Sequence, residues 1–373
     1  MQLQNLKTPA LVLDINRVKR NAENMANRVR SFGAILRPHI KTHKCVEIAQ
    51  IQTTGQFNGL TVSTLAEARA FVSKGFRDIT YAVPIESGKF VEVCEISRDC
   101  ERFAVITDDS TVPGMLNETA KRLNVKLDVF LKVDCGYHRC GVEVDSPEAI
   151  EIPKLIVGSS NLRFAGILTH AGHSYNARSR EELLEISRCE RDLMKEFASV
   201  LKAKDIEVPC ISIGSTPTLS CVDHLEGIDE ARPGNYIFYD AFQATLGSCS
   251  FDDCALTVLA AVIHCDPIRR KIVVDAGAIA LSKDLGAIEF DSHCGYGRVL
   301  DLWGNYLNLQ VDSLSQEHGM IKIENEEVFE RLTVGARVRI LANHSCLTAA
   351  QHSHYNILEG ERIVDRWAIK RGW

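Results

Sequence analysis

The chain has 373 residues, of which 45% are hydrophobic and 25% are charged, and its formal net charge is -6 at pH 7. This length suffices for a large domain and a smaller one, and the composition is that of a soluble globular protein. The acidic balance argues against a nucleic-acid partner, and no apolar stretch approaches the ~18 residues of a membrane-spanning helix. The first residues lack the apolar region of a signal peptide, so we expect a cytoplasmic protein. The 13 cysteines form no Cys-x-x-Cys pair, which favours reduced, buried thiols over a disulfide scaffold.

The first two thirds of the chain alternate between short β-rich runs and segments of helical periodicity. This alternation predicts a parallel sheet with helical crossovers, and about eight such units favour a closed, TIM-like (β/α)8 barrel. No Gly-x-Gly-x-x-Gly motif follows the first run, which argues against a dinucleotide-binding fold. The predicted strands are 10–14, 35–41, 59–63, 78–83, 102–107, 126–134, 163–170 and 210–215, with helical patterns such as 15–30, 65–74 and 180–201.

After about residue 245 the long helical patterns end and strand-like runs continue. This change predicts a mainly antiparallel β domain. We therefore expect a barrel over residues 8–245 and a β domain over residues 246–373, which residues 1–7 could join. The predicted strands of this second domain are 255–264, 271–275, 306–311, 337–341 and 362–369.

Lys41 stands at the end of the predicted strand 35–41. Residues two apart in a strand share a face, so Lys41 would lie on the same side as Arg37 and His39. Barrel active sites lie at the C-terminal ends of the strands. A lysine that faces inward there loses hydration, which makes its amine a better nucleophile towards an aldehyde. The alternative is a solvated lysine in a basic loop.

Two glycine-containing segments late in the barrel half are candidate phosphate-binding loops. They are Ile213-Gly214-Ser215-Thr216-Pro217 and Arg232-Pro233-Gly234-Asn235-Tyr236. Barrel enzymes often hold phosphate in the loops after the seventh and eighth strands. Glycine permits close backbone approach, while amide and hydroxyl groups bind the phosphate oxygens. Each segment taken alone could equally be a simple turn.

His344 and Cys346 form a candidate metal pair in the second domain. In an extended segment they would share a face, and nitrogen with sulfur is a donor set typical of zinc. Two protein ligands would leave positions for water or substrate, which is typical of a catalytic metal. The alternative is a core cysteine beside an unrelated histidine. His352 and His354 repeat the spacing and are competing candidates.

Several segments resemble those of fold-type III pyridoxal-phosphate enzymes. Within that superfamily the chain resembles the zinc-dependent D-serine dehydratases, from about residue 8 to Trp373. The segments are Thr8-Pro9-Ala10-Leu11, Arg37 to Lys44, Ser63 to Ala68, Lys132 to Gly136, Arg139 to Val142, Pro233 to Asp240 and Gln316 to Gly319.

The resemblance implies an alanine racemase-like barrel followed by a β domain, assembled as a homodimer. By position, Lys41 would be the Schiff-base lysine of pyridoxal 5'-phosphate, Arg139 would approach the cofactor's phenolate oxygen and Tyr175 would lie near its pyridine ring. His344 and Cys346 match the zinc ligands. The related D-threonine aldolases place an aspartate where Cys346 stands, so the thiolate favours the dehydratase branch. The phosphate-binding positions match Ser215, Thr216, Gly234 and Asn235.

The activity implied is conversion of a D-amino acid with a β-hydroxyl, D-serine above all, to pyruvate and ammonia. Lys41 would remove the α-proton, and zinc would assist departure of the β-hydroxyl as a Lewis acid. D-threo-3-hydroxyaspartate dehydration, D-threonine aldol cleavage and a non-catalytic pyridoxal-phosphate carrier are alternatives. The bulky residues Tyr137 and His138, beside Arg139, could reshape the substrate pocket.

Overall fold

The computed structural model describes residues 1–286, 288 and 290–373, and its strands form an eight-stranded and a ten-stranded sheet. The strands of the first half are β1 (Ala10–Asp14), β2 (Ile35–Leu36), β3 (Gly59–Val62), β4 (Asp78–Pro84), β5 (Arg102–Thr107), β6 (Leu127–Lys132), β7 (Leu162–Leu168), β8 (Ile211–Ile213) and β9 (Glu230–Ala231). Those of the second half are β10 (Leu256–Asp266), β11 (Lys271–Val274), β12 (Arg298–Leu300), β13 (Tyr306–Gln310), β14 (Ser313–Leu314), β15 (Gly319–Lys322), β16 (Arg337–Leu341), β17 (His354–Glu359) and β18 (Arg362–Ala368).

The helices of the first half include the crossovers that connect the parallel strands. They are α1 (Ile15–Ser31), α2 (Val46–Thr53), α3 (Leu65–Val72), α4 (Phe90–Ser97), α5 (Val112–Arg122), α6 (Glu148–Val157), α7 (Arg180–Lys202) and α8 (Thr216–Cys221). Further short helices are α9 (Ala241–Thr245), α10 (Ala278–Leu281), α11 (Glu326–Arg331) and α12 (Ser345–Gln351). In the described part of the chain, no helix is both long and apolar enough to cross a membrane.

The eight-stranded sheet is a closed parallel barrel, which confirms the predicted TIM-like fold. Its strand order is β2-β9-β8-β7-β6-β5-β4-β3. The circle closes where His39, just after β2, forms a parallel bridge with Thr61 of β3, and the Thr61 N–H donates to the Pro38 carbonyl at 2.9 Å. Every residue of β6 is buried, as is usual for a parallel strand covered on both faces.

The ten-stranded sheet confirms the predicted, mainly antiparallel β domain, but it also takes β1 from the start of the chain. β1 pairs antiparallel with β10 and parallel with β17. The eighth barrel strand is instead Glu230–Ala231, which the strand prediction missed. A short apolar run such as 10–14 suits either sheet, and a two-residue strand has too few positions to show alternation.

Two compact units follow from this pairing. The barrel unit comprises Glu23–Gly234 with Lys370–Trp373, and the sheet unit comprises Met1–Ala22 with Asn235–Ile369. The predicted boundary near residue 245 therefore differs from the observed change of unit at Gly234 and Asn235. The reason is that the segment after Gly234 pairs and packs with the sheet, for example where the Ala255 N–H donates to the Phe238 carbonyl at 2.7 Å.

Candidate active site

Lys41 lies on a one-turn 3-10 helix, Ile40–Thr42, and not on a strand. The prediction of a strand through residue 41 is wrong because β2 ends at Leu36. Pro38 follows closely, and it cannot donate a hydrogen bond to continue a ladder. His39 caps the turn, since its Nδ1 accepts the Lys41 N–H at 3.4 Å. The Lys41 residue is exposed at the C-terminal mouth of the barrel.

The two histidines beside Lys41 are held neutral. Burial, followed by the positive charge of Lys41, brings the pKa of His39 and of His170 well below its ordinary value. His170 follows β7, as expected of a residue at the same mouth. The other cations that act on His170 are Arg139, Lys132 and Arg232.

The candidate phosphate loops follow β8 and β9, which are the seventh and eighth strands of the barrel. Gly214 has φ +111°, and the next residue, Ser215, caps α8. A Cβ at Gly234 would lie 2.9 Å from the His39 carbonyl oxygen and 3.1 Å from Thr42 Oγ1. Glycine at position 234 thus lets this loop pass directly against the Lys41 turn.

Tyr175 lies on a 3-10 helix, Gly172–Asn176, that contacts the first phosphate loop. The link is a hydrogen bond of 3.0 Å between the hydroxyls of Ser174 and Ser215. Tyr175 itself is half-buried. The structure therefore brings the Tyr175 segment together with Ser215. Thr216, the first residue of α8, is next to Ser215 in the chain.

The Tyr137 side chain packs against the Tyr175 segment from the loop that follows β6. A Cβ at Gly172 would lie 2.3 Å from the Tyr137 ring, so only glycine allows this approach. The guanidinium of Arg139 lies 5.1 Å from the centre of the same ring. Asp134 holds the loop, since its Oδ1 accepts the N–H groups of Gly136, Tyr137 and His138 at 3.0, 3.0 and 3.1 Å.

The sheet unit holds the other predicted site residues, Asn235, His344 and Cys346. His344 precedes α12 and Cys346 lies in its first turn, so the predicted extended segment is wrong. The two side chains nevertheless meet. Burial lowers the pKa of His344, but hydrogen bonds with Asp284 and Cys346 raise it well above its ordinary value. The Nδ1–H of His344 donates to Asp284 Oδ2 at 2.8 Å.

Asn235 lies beside this pair. Its Nδ2 donates to Asp240 Oδ2 at 2.7 Å and to Cys346 Sγ at 3.6 Å. Asp240 also accepts the Ser345 N–H at 2.9 Å, which fixes the start of α12. The amide of Asn235 thus contacts the candidate metal pair, a placement that the phosphate-loop prediction did not foresee.

The competing histidines have other partners. His352 Nε2 donates to the Ala280 carbonyl at 3.0 Å. His354 Nδ1 lies 2.8 Å from a guanidinium nitrogen of Arg366, and a cation is a poor neighbour for a metal ion. Among residues 1–286, 288 and 290–373, no group of three or more His, Cys, Asp or Glu residues is arranged to hold a metal.

Sequence reasoning missed several residues of the site. Asp284 lies 60 residues before His344, and no local pattern connects the two. Lys132 and Arg232 lie in segments that the motifs include, but their burial depends on the folded barrel. The Lys132 residue is 4% exposed and its ammonium donates to the Val133 carbonyl at 2.7 Å.

Two family models match the chain in the order of its domains. The alanine racemase N-terminal domain matches residues 13–241, and the putative serine dehydratase domain matches residues 255–358. The first match covers most of the barrel and the second covers most of the antiparallel sheet.

Known proteins resemble the chain over its whole length. D-threo-3-hydroxyaspartate dehydratase of Delftia sp. (strain HT23) is 34% identical, with 100% of this chain and 99% of the relative covered. D-serine dehydratase of Dictyostelium discoideum is 35% identical, with 100% and 98% covered. The solved structure of the Delftia enzyme has a TM-score of 0.96 and covers 100% of both chains. The chain therefore belongs to the D-serine dehydratase family of fold-type III, pyridoxal-phosphate-dependent enzymes, which are carbon–oxygen lyases.

Proposed function

We propose that this enzyme uses pyridoxal 5'-phosphate and zinc to convert D-serine to pyruvate and ammonia. The observation that carries the proposal is the meeting of His344 and Cys346 at the start of α12. Imidazole nitrogen and thiolate sulfur are zinc donors. Asp284 accepts a hydrogen bond from the Nδ1–H of His344, so Nε2 is the nitrogen that would coordinate the metal. This arrangement is common at metal-bound histidines.

Solved variants of D-threo-3-hydroxyaspartate dehydratase support the same pair. One is a cysteine-to-alanine variant in the metal-free form, and another is a histidine-to-alanine variant. The two substituted positions are two residues apart, as His344 and Cys346 are. We therefore assign the metal of this chain to His344 and Cys346, with water or substrate in the remaining positions.

The barrel mouth suits a phosphorylated aldehyde cofactor. Ser215, Thr216 and Gly234 would hold the phosphate in the loops where barrels bind it. Lys41 would bind the aldehyde carbon. The support for this is the close packing of Gly234, which belongs to a candidate phosphate loop, against the Lys41 turn.

The residues at the mouth divide the remaining tasks. When bound, pyridoxal phosphate supplies an electron sink for charge that develops at Cα. Lys41 would be released from the aldehyde carbon when the amino group of the substrate takes its place, and its free amine would then accept the α-proton. Arg139 would orient the ring through its phenolate oxygen and Tyr175 would lie beside the pyridine. Zinc would polarise the β-hydroxyl as a Lewis acid. Loss of the α-proton and of the β-hydroxyl group would leave an enamine. After its release, reaction with water would give pyruvate and ammonia.

D-threo-3-hydroxyaspartate is the second candidate substrate. The observation that favours it is the 34% identity, over 100% of this chain, to D-threo-3-hydroxyaspartate dehydratase of Delftia sp. (strain HT23).

We further propose that the enzyme is a cytoplasmic homodimer, in keeping with the family resemblance. Light scattering of the purified protein would test the assembly: a dimer mass is expected, and a monomer mass at assay concentration would contradict it.

A product assay before and after chelation tests the proposed reaction. The substrates are D-serine, D-threonine and D-threo-3-hydroxyaspartate. We expect pyruvate from D-serine, its loss by at least about 100-fold after zinc removal, and recovery when zinc is returned. His344→Ala and Cys346→Ala should behave as the chelated enzyme does, whereas His354→Ala serves as the matched control and should not.

Three outcomes would count against the proposal. Pyruvate formation that survives full zinc removal would eliminate the metal role. Glycine and acetaldehyde as the main products from D-threonine would place the enzyme among the aldolases. Persistence of the Schiff-base absorption band in Lys41→Ala would show that Lys41 does not bind the cofactor as proposed.

A further inference from the structure

Glu190 of α7 is a buried carboxylate behind the proposed cofactor loops. It is 1% exposed. Its Oε1 accepts the Ala171 N–H at 3.0 Å and the Gly214 N–H at 3.1 Å. Ala171 immediately precedes the 3-10 helix that carries Tyr175, and Gly214 immediately precedes Ser215. One oxygen atom therefore binds the beginnings of two separate loops.

A second contact from the same helix supports one of these loops. Ser187, one turn before Glu190, donates from Oγ to the Thr218 carbonyl at 3.1 Å. Thr218 belongs to α8, and its Oγ1 lies 3.0 Å from Ser215 Oγ. Two polar side chains of α7 thus bind the candidate phosphate loop that follows β8.

The position is unfavourable for a carboxylate unless hydrogen bonds compensate. Burial raises the pKa of Glu190, and the Gly214 and Ala171 N–H groups and the charge of Arg232 offset this increase only in part. A buried carboxylate requires such partners because it has lost its hydration. Its two backbone donors come from different loops, so any separation of these loops would break at least one bond.

We propose that Glu190 is a positioning residue of the cofactor site, which holds the Tyr175 segment at a set distance from the Ser215–Thr216 loop. This rests on the proposed cofactor contacts of those two loops. Glu190 acts through the backbone and does not touch the cofactor. Its removal should therefore weaken binding of pyridoxal phosphate, because binding of the cofactor would then have to order the Tyr175 segment and the Ser215–Thr216 loop.

Titration of the apoenzyme with pyridoxal phosphate, followed by absorbance, tests the proposal. Glu190→Met leaves both N–H groups without an acceptor, and we expect the dissociation constant to rise by about tenfold, equivalent to the loss of one or two net hydrogen bonds. Glu190→Gln keeps an oxygen that can accept both N–H groups and should stay within about threefold of the wild type. Glu185→Met, an exposed site on the same helix, is the matched control and should change nothing.

A lowered melting temperature of Glu190→Met with an unchanged dissociation constant would overturn the proposal, because the role would then be structural alone. If Glu190→Met does not fold, Glu190→Asp replaces it: the charge stays but the oxygen withdraws by one methylene, so binding should weaken while Glu190→Gln binds normally. Equal binding by these two variants would also overturn the proposal. Wild-type protein that binds no pyridoxal phosphate would instead defeat the proposed function.

Discussion

His43 is a buried, neutral histidine two residues after Lys41. It is 0% exposed. Its Nε2–H donates to Gln52 Oε1 at 3.0 Å and its Nδ1 accepts the Cys45 N–H at 3.0 Å. These partners match one tautomer of the uncharged ring. Burial lowers the pKa of His43 to about 3, so the folded protein keeps this imidazole neutral at every ordinary pH.

This burial makes stability depend on pH. In the unfolded chain the pKa of a histidine is about 6.5, so below about pH 6.5 the unfolded state binds a proton that the folded state does not. The free energy of unfolding should therefore fall as the pH drops from about 6.5 towards 3, and His43 should account for about 2 kcal/mol between pH 7 and pH 5. Urea unfolding at both pH values should show a smaller loss in His43→Gln. His264 is exposed, so His264→Gln should lose as much free energy of unfolding between pH 7 and pH 5 as the wild type. An equal decrease in the His43→Gln and His264→Gln variants would contradict the prediction.

A series of alternating charges connects several strands of the barrel. Arg37 is the most buried of them, with a side chain 3% exposed, and it pairs with Glu230 at 2.5 Å and with Asp78 at 2.7 Å. Burial raises the pKa of Glu230, but the Arg37 charge and hydrogen bond hold it below its ordinary value. In order around the barrel the residues are Glu230, Arg37, Asp78, Arg102, Asp128 and Arg163.

Removal of Arg37 should therefore destabilise the barrel strongly. Arg37→Met leaves Glu230 buried without its main partner, and the loss of a partner from a buried ion pair costs about 3–5 kcal/mol. The free energy of unfolding from urea titration measures this, and Arg37→Met/Glu230→Leu should recover part of the loss. Arg69→Met breaks an exposed pair with Glu92 and should cost less than about 1 kcal/mol. If Arg37→Met and Arg69→Met lower the free energy of unfolding equally, the Arg37 ion pairs stabilise the protein no more than an exposed ion pair does.

Strand assignments could be predicted from the sequence where the run was long enough to show a period. Residues 102–107 and 337–341 match the observed strands at both ends, because alternation and β-branched residues act locally. Strand β9 could not be found, since two residues carry no period. The turn around Lys41 was missed because the effect of Pro38 on the ladder depends on the strands beside it.

On the scale of the whole molecule, the chain ends on the barrel unit. Residues Lys370–Trp373 belong to it, and the Lys370 N–H donates to the Lys44 carbonyl at 2.7 Å. Lys44 has φ +49°, and its ammonium donates to the buried Glu67 carboxylate at 2.5 Å. The last residues of the chain thus support the segment that begins at the Lys41 turn.

Deletion of residues 370–373 should weaken cofactor binding. One backbone hydrogen bond is lost next to the Lys41 turn, so the dissociation constant of pyridoxal phosphate should rise by about threefold to tenfold. Absorbance titration of the apoenzyme measures it. Deletion of Trp373 alone is the control, since that side chain is 97% exposed. A dissociation constant equal to that of the intact chain would show that the tail has no part in the site.

Much about this protein was determined by its sequence alone. The alternation of strand and helix indicated the barrel, and local motifs named Lys41, the loop at Gly214–Thr216 and the pair His344 and Cys346. These features depend on residues a few positions apart, where periodicity and backbone conformation are encoded. Tertiary structure decided that β1 joins the sheet unit, that Asp284 orients His344 and that Glu190 binds two loops. Such partners lie far apart in the chain and come together only in the folded protein. There, polar groups that have lost contact with water form hydrogen bonds with one another.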